Sequence, residues 1–263
     1  MKQLASRPAL VALIGGLAVA RLAWHPGRAI CGQITVAGCL GVAVLVVAVL
    51  GVAAWMVRVT WLAAGAVREI TRLPRLPAPA ALAAAARRSG AGEVVCLDGP
   101  AAAFCAGLLR PRVFVTSGMV ESLADDELDA VLVHEAEHAR RRDPLRRLAG
   151  RAAADVLFWL PLVGWWSRRR LEDAELAADR AAISQVGRTP LARALRATTP
   201  PAPPVVGARF DGAGPARVSQ LLGDPLPRRR PPLAACLLSL LGLILAVSLA
   251  MCVGQGLASA VTG

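Results

Sequence analysis

Two long uncharged apolar runs decide most of what this chain can fold into. Ala29 to Val57 and Pro232 to Val261 hold no Asp, Glu, Lys, Arg or His. Each is longer than the roughly 20 residues a helix needs to cross a bilayer. An earlier run, Leu4 to Trp24, is long enough to cross if Arg7 and Arg21 snorkel at the two faces. Its basic start, short apolar core and Ala18-Val19-Ala20 also fit a cleavable signal peptide. Read as spans, the first two runs form a helical hairpin joined at Trp24 to Arg28, with His25 an interfacial residue rather than a ligand.

Charge orients these spans. All the acids lie between Glu69 and Asp224. Arg58, Arg68, Arg72 and Arg75 follow the second run, and Arg228-Arg229-Arg230 precedes the last. An excess of arginine marks the cytoplasmic side, so residues 58–231 are expected in the cytoplasm, with Lys2 and Arg7 on the same side. The formal charge of +12 therefore reads as membrane topology. A nucleic-acid binder would show a basic stripe interleaved with stacking aromatics; aromatics are only 4% here and Tyr is absent. Direct nucleic-acid binding is not expected. Alanine and leucine carry the apolar content, which favours helix over sheet.

The cysteines do not form a disulfide framework. Cys31, Cys39, Cys236 and Cys252 lie inside the apolar runs, where Cys acts as a small hydrophobe. Cys96 and Cys105 lack metal-knuckle spacing, and a bridge between them would need an oxidising compartment.

Between the spans, Pro74, Pro77 and Pro79 mark a linker, and Ala80 to Arg88 reads as a short helix. Glu93 to Leu97 and Arg112 to Thr116 read as a hairpin or paired strands. A helix with acids in its first turn starts near Ser122–Asp125 and runs through His138 to Arg142. Residues 152–166, with Trp159, Trp165, Trp166 and a break at Pro161, are short for a span and read as a helix pair or re-entrant piece dipping into the membrane, with a buried core helix as the alternative. Arg168 opens another helix through Val186, closed by Gly187. Residues 197–217, rich in Pro, Gly and Ala, read as a mobile loop.

The chemistry sits in His134-Glu135-Ala136-Glu137-His138. Histidines four apart share one helix face and can grip one metal ion, with Glu135 between them placed to take a proton from a water at that metal. Zinc needs a third protein ligand and an open position. The only other histidine, His25, lies outside this segment, so the ligand must be a carboxylate or a cysteine. The helix at 168–186 offers Glu172, Asp173, Glu175 and Asp179. Glu175 and Asp179 share a face, so that one can bind metal while the other holds a histidine N–H.

This pattern, His-Glu-Ala-Glu-His followed by Glu175-Leu176-Ala177-Ala178-Asp179-Arg180, resembles the gluzincin signature of integral-membrane metallopeptidases. More closely it resembles the BlaR-type peptidase family, named for beta-lactam sensor-transducers, in its short actinobacterial form. The stretch from Ala103 to Gly118, Glu127-Leu128, Ala130-Val131-Leu132, Arg141-Arg142-Asp143 and Phe158-Trp159-Leu160-Pro161 carry the likeness, which covers residues 90–195. The HtpX-type peptidases share the zinc pattern.

The resemblance implies that His134, His138 and Glu175 hold Zn2+, that Glu135 is the general base, and that Asp179 steadies a ligand histidine. With no Tyr, Arg180 is the expected stabiliser of the oxyanion, and substrate is expected along the edge of the 93–116 strands. The expected fold is a mainly α membrane protein. A gluzincin-type peptidase domain with a small β element (58–231) is inserted between an N-terminal transmembrane hairpin (1–57, spans about 4–24 and 29–57) and a C-terminal transmembrane helix (232–263). The expected function is a membrane-bound, multi-pass zinc endopeptidase in signal transduction. It would cleave a cytoplasmic protein such as a BlaI-like repressor. The alternatives are HtpX-like quality control of membrane proteins and a non-catalytic receptor that kept the fold. The beta-lactam sensors carry a large penicillin-binding domain after their last span; this sequence ends at Gly263, so beta-lactam sensing by the chain itself is not expected.

Overall fold

The computed structural model describes residues 36–197, 208–209, 214–225 and 230–262. The first apolar run and His25 lie outside them. A long helix, α1 (Val36–Arg72), leads into strand β1 (Arg75–Leu76), helix α2 (Ala80–Ser89), strands β2 (Val94–Leu97), β3 (Ala103–Ala106) and β4 (Arg112–Thr116), and a short helix α3 (Ser117–Ser122). Helices α4 (Asp125–Arg141), α5 (Asp143–Val156), α6 (Pro161–Gln185) and α7 (Arg188–Ala197) follow. Strand β5 (Ala208–Arg209), helix α8 (Pro215–Leu222) and helix α9 (Leu233–Thr262) complete the chain.

The sheet order is β1-β2-β4-β3-β5. The two strands read from the sequence do pair, but β2 and β4 run parallel, so they are not a hairpin. The hairpin is β3 with β4. Side chains alternate across the sheet as the pleat requires. Val94, Cys96, Ala103, Val113 and Val115 face the main core, with Leu82 and Ala85 of α2 and Leu128, Val131 and Leu132 of α4. Leu97, Phe104, Ala106 and Phe114 face the other way and are covered by Ile70 of α1 and by Leu73. Cys96 and Cys105 are free. They stand opposite Val115 and Val113, on opposite sides of β4. Two strand spacings of about 4.8 Å put them beyond the roughly 7 Å that a disulfide can bridge.

Among the described residues, two helices are long and apolar enough to cross a membrane, within Val44–Arg72 and Leu233–Cys252. The protein buries 0% and 6% of their most apolar windows, unlike core helices, so their apolar surface is left for another medium to cover. The first does not stop at Val57 as read from the sequence. α1 continues to Arg72, and at 1.5 Å per residue its length of about 55 Å exceeds the roughly 30 Å hydrocarbon layer. Its far end lies under the sheet.

Both long helices grip α5 and the corner between α5 and α6. From α1, the Trp55 indole N–H donates to the Ala149 carbonyl at 3.0 Å, and Arg58 forks onto Asp155 at 2.7 and 2.9 Å. Leu62 is buried with Leu148 and Ala152 of α5. From α9, Ser239 Oγ accepts the Leu162 N–H at 2.9 Å. Gly242 lies so close to the Trp159 carbonyl that a Cβ there would stand 2.6 Å from it. Residues 152–166 are thus the end of α5, a turn and the start of α6. The helix expected to open at Arg168 begins at Pro161, because a proline at the first helical positions costs no hydrogen bond.

Candidate metal centre

Helix α4 begins where Asp125, Asp126 and Glu127 complement the helix dipole and the Glu127 carboxylate accepts the Ala124 N–H at 3.1 Å. Its apolar stripe runs into His134, Glu135 and His138, each 0% exposed. Polar groups buried so completely need partners, and the neighbouring helices supply them.

The chain leaves α4 through Arg142, whose φ of 54° is left-handed. That sharp corner brings Asp143, the first residue of α5, back beneath the helix it has just left. Its Oδ2 lies 2.8 Å from His138 Nδ1. On the other flank, Asp179 of α6 places Oδ1 3.0 Å from His134 Nδ1. Each imidazole therefore has a carboxylate at Nδ1, which turns its Nε2 toward the other; the two Nε2 atoms are 3.2 Å apart. Glu175, one turn before Asp179, completes the triangle. Its Oε2 is 3.5 Å from His134 Nε2 and its Oε1 3.5 Å from His138 Nε2.

These separations fit a metal. Bonds of about 2.0–2.1 Å in a tetrahedron space the ligands about 3.3–3.4 Å apart, so His134, His138 and Glu175 could hold one ion. Neither oxygen of the buried Glu135 makes a hydrogen bond among the described residues, which is unusual for a buried carboxyl.

The electrostatics follow from burial and crowding. Burial pushes the Glu135 carboxyl up to about 8. For His134, burial works downward, but contacts with Asp179 and Glu175 outweigh it and leave the imidazole at about 9. His138 is lowered by burial, against the pull of Asp143. Burial would raise Glu175, yet the His134 contact and the charges of His138 and Arg147 hold it well below the usual carboxylate range. A bound dication would add a larger local charge and displace the His134 proton.

Two arginines enter the site, and neither is Arg180. Arg180 is exposed. It follows Asp179 by one residue, a rotation of about 100° that turns it away from α4. No hydrogen bond or ion pair joins it to the site among the described residues. Instead Arg147 of α5 donates to Glu175 Oε1, and Arg217 of α8 binds both oxygens of Asp179. Glu172 pairs with Arg169 at 3.2 Å, away from the histidines. Cys105 is buried, and that burial, with the charges of Glu135 and Asp143, pushes its thiol up, which makes it inert. The expected substrate edge is covered: β5 pairs with β3 at Phe104 and Cys105, and β1 pairs with β2.

A family model described as BlaR1 peptidase M56 matches residues 29–194, more than half of the chain. The chain belongs to that family. It is a membrane metallopeptidase of the BlaR1 kind, and the match spans α1, strands β1 to β4 and every residue of the candidate centre except Arg217. No curated protein matches the chain.

Sequence reasoning brought together His134, Glu135, His138, Glu175 and Asp179, and the structure places all five in one cluster. It missed Asp143, Arg147 and Arg217. Asp143 had a signal, as part of Arg141-Arg142-Asp143, but no role. Arg147 was one arginine among many. Arg217 had none, lying in a segment read as loop.

Proposed function

We propose that the chain is a membrane-bound zinc endopeptidase that cleaves a cytoplasmic protein in a regulatory pathway, with a BlaI-like transcriptional repressor as the substrate. The observation that carries the reading is the convergence of two Nδ1-anchored histidines and Glu175 at tetrahedral spacing beside an unpartnered buried glutamate. When bound at His134, His138 and Glu175, zinc would polarise the scissile carbonyl and bring the pKa of water toward neutrality.

Glu135 takes the proton of the attacking water and delivers it to the leaving amine. A base near neutrality suits this work, and burial moves Glu135 that way. Asp143 and Asp179 hold the ligand imidazoles in the tautomer whose Nε2 is free to bind. The negative charge that develops on the carbonyl oxygen lies in the field of Arg147 and Arg217. Cytoplasmic orientation is supported by the arginines at both ends of the central segment. Membrane contact of residues 152–166 is supported by their seat against α9 and by Phe158 and Trp166, which stand exposed.

The test is a cell in which a BlaI-like winged-helix repressor, co-expressed with this protein, is followed by blotting. The repressor is lost with the wild type and persists with Glu135→Gln. Equal loss with both proteins would refute the role of Glu135.

A further inference from the structure

We propose that Arg217 is a positioning residue of the metal centre: from α8 it fixes the Asp179 carboxylate, and through it the His134 imidazole. This rests on the metal-centre reading above and extends it to a helix outside the matched family region.

The geometry is specific. Arg217 Nε and Nη2 donate to Asp179 Oδ2 and Oδ1 at 2.7 and 2.6 Å. Two parallel bonds from a planar fork set the rotation of the carboxylate, which a single contact would not. Oδ1 is also the atom 3.0 Å from His134 Nδ1, so the fork holds the histidine's partner in place. The third nitrogen, Nη1, lies 3.4 Å from Glu175 Oε2. One guanidinium thus spans the two acids that α6 turns toward α4.

Arg217 is 5% exposed. A buried arginine without acids would strongly destabilise the fold, so the docking of α8 and the order of Asp179 depend on each other. Gln220 adds a neutral contact, its Nε2 donating to the Leu176 carbonyl at 3.1 Å. Arg147 plays a different part, since among the described residues it pairs with Glu175 and makes no hydrogen bond or ion pair with Asp143 or Asp179.

The experiment measures zinc dissociation by chelator competition on the full-length protein in detergent, with cobalt absorption as a second readout of ligand geometry. Wild type binds zinc and His134→Ala does not; failure of that pair would overturn the metal-centre reading itself. Given that pair, Arg217→Gln weakens zinc about 10–100-fold and alters the cobalt bands. Arg217→Lys, which keeps charge but cannot fork, falls in between. The surface variant Arg196→Gln changes nothing. The double variant Arg217→Gln/Asp179→Asn loses clearly less than the sum of the two single losses, because Arg217 acts mainly through Asp179. Wild-type zinc affinity in Arg217→Gln, or additive losses in the double variant, would overturn the proposal while leaving the metal centre standing. If Arg217→Gln does not fold, Arg217→Lys decides: wild-type affinity there would overturn the proposal.

Discussion

Replacing Asp143 by alanine removes the partner of His138 Nδ1, and the structure sets the size of the effect. Asp143 is 2% exposed and lies 2.8 Å from that nitrogen. Loss of a carboxylate that orients a ligand histidine lowers metal affinity about 10–100-fold, or about 1.4–2.8 kcal/mol. Folding suffers separately. A buried imidazole N–H left without an acceptor costs about 1–3 kcal/mol, and an acid lost from the first turn of α5 costs about 0.3–1 kcal/mol more. Asp143→Asn keeps an acceptor for Nδ1–H, so it should retain most of the stability and lose less zinc than Asp143→Ala. Glu172→Ala, at a surface pair with Arg169, should leave zinc unchanged. The assay is chelator competition for zinc beside thermal unfolding of the metal-free protein. Unchanged zinc affinity in Asp143→Ala, or a loss equal to it in Glu172→Ala, would refute the reasoning.

Two further predictions concern pH and the C-terminal helix. In metal-free protein His134 and Glu135 both bind their protons more tightly than when unfolded, so their stabilisation is present at low pH and is lost as pH rises toward about 8 and 9. Glu175 and Asp179 are lowered, so theirs is lost as pH falls below the ordinary carboxylate range. The Tm of EDTA-treated protein should therefore peak near pH 5–6 and fall toward pH 9, less steeply with zinc; a Tm that rises from pH 6 to 9 without metal would contradict this. Gly242→Ala would place a Cβ 2.6 Å from the Trp159 carbonyl and should destabilise the detergent-solubilised protein by about 1–3 kcal/mol. Gly51→Ala, with nothing within 4 Å, should be near neutral, and equal effects would mean that α9 does not seat on the α5–α6 corner.

How much was legible in the sequence depended on whether the signal was local. The spacing of His134 and His138 and that of Glu175 and Asp179 are properties of a single helix turn, and both survived into the structure. The apolar runs announced α1 and α9, while the extension of α1 past Val57 to Arg72 carries charge and gives no apolar signal. Ala-Phe-Cys-Ala has no β-branched residue and gives little strand signal of its own; β3 pairs because it lies buried between β4 and β5. Asp143 was read past because a helix through Arg142 leaves no corner, and a left-handed arginine is rare. Arg217 meets Asp179 across 38 residues of sequence, and a contact of that range leaves no periodicity to read.

The central claim is tested most directly by measuring zinc content and cleavage in the same preparations of wild type and Glu135→Gln. Glutamine keeps the size of the side chain and removes the base, and Glu135 lies beside the ligand triangle rather than in it. The account predicts about one zinc per chain in both proteins. It also predicts that cleavage of a co-expressed repressor, or self-cleavage, falls by several orders of magnitude in the variant alone. Undiminished cleavage by Glu135→Gln, or a wild-type protein that is active and free of metal, would contradict it.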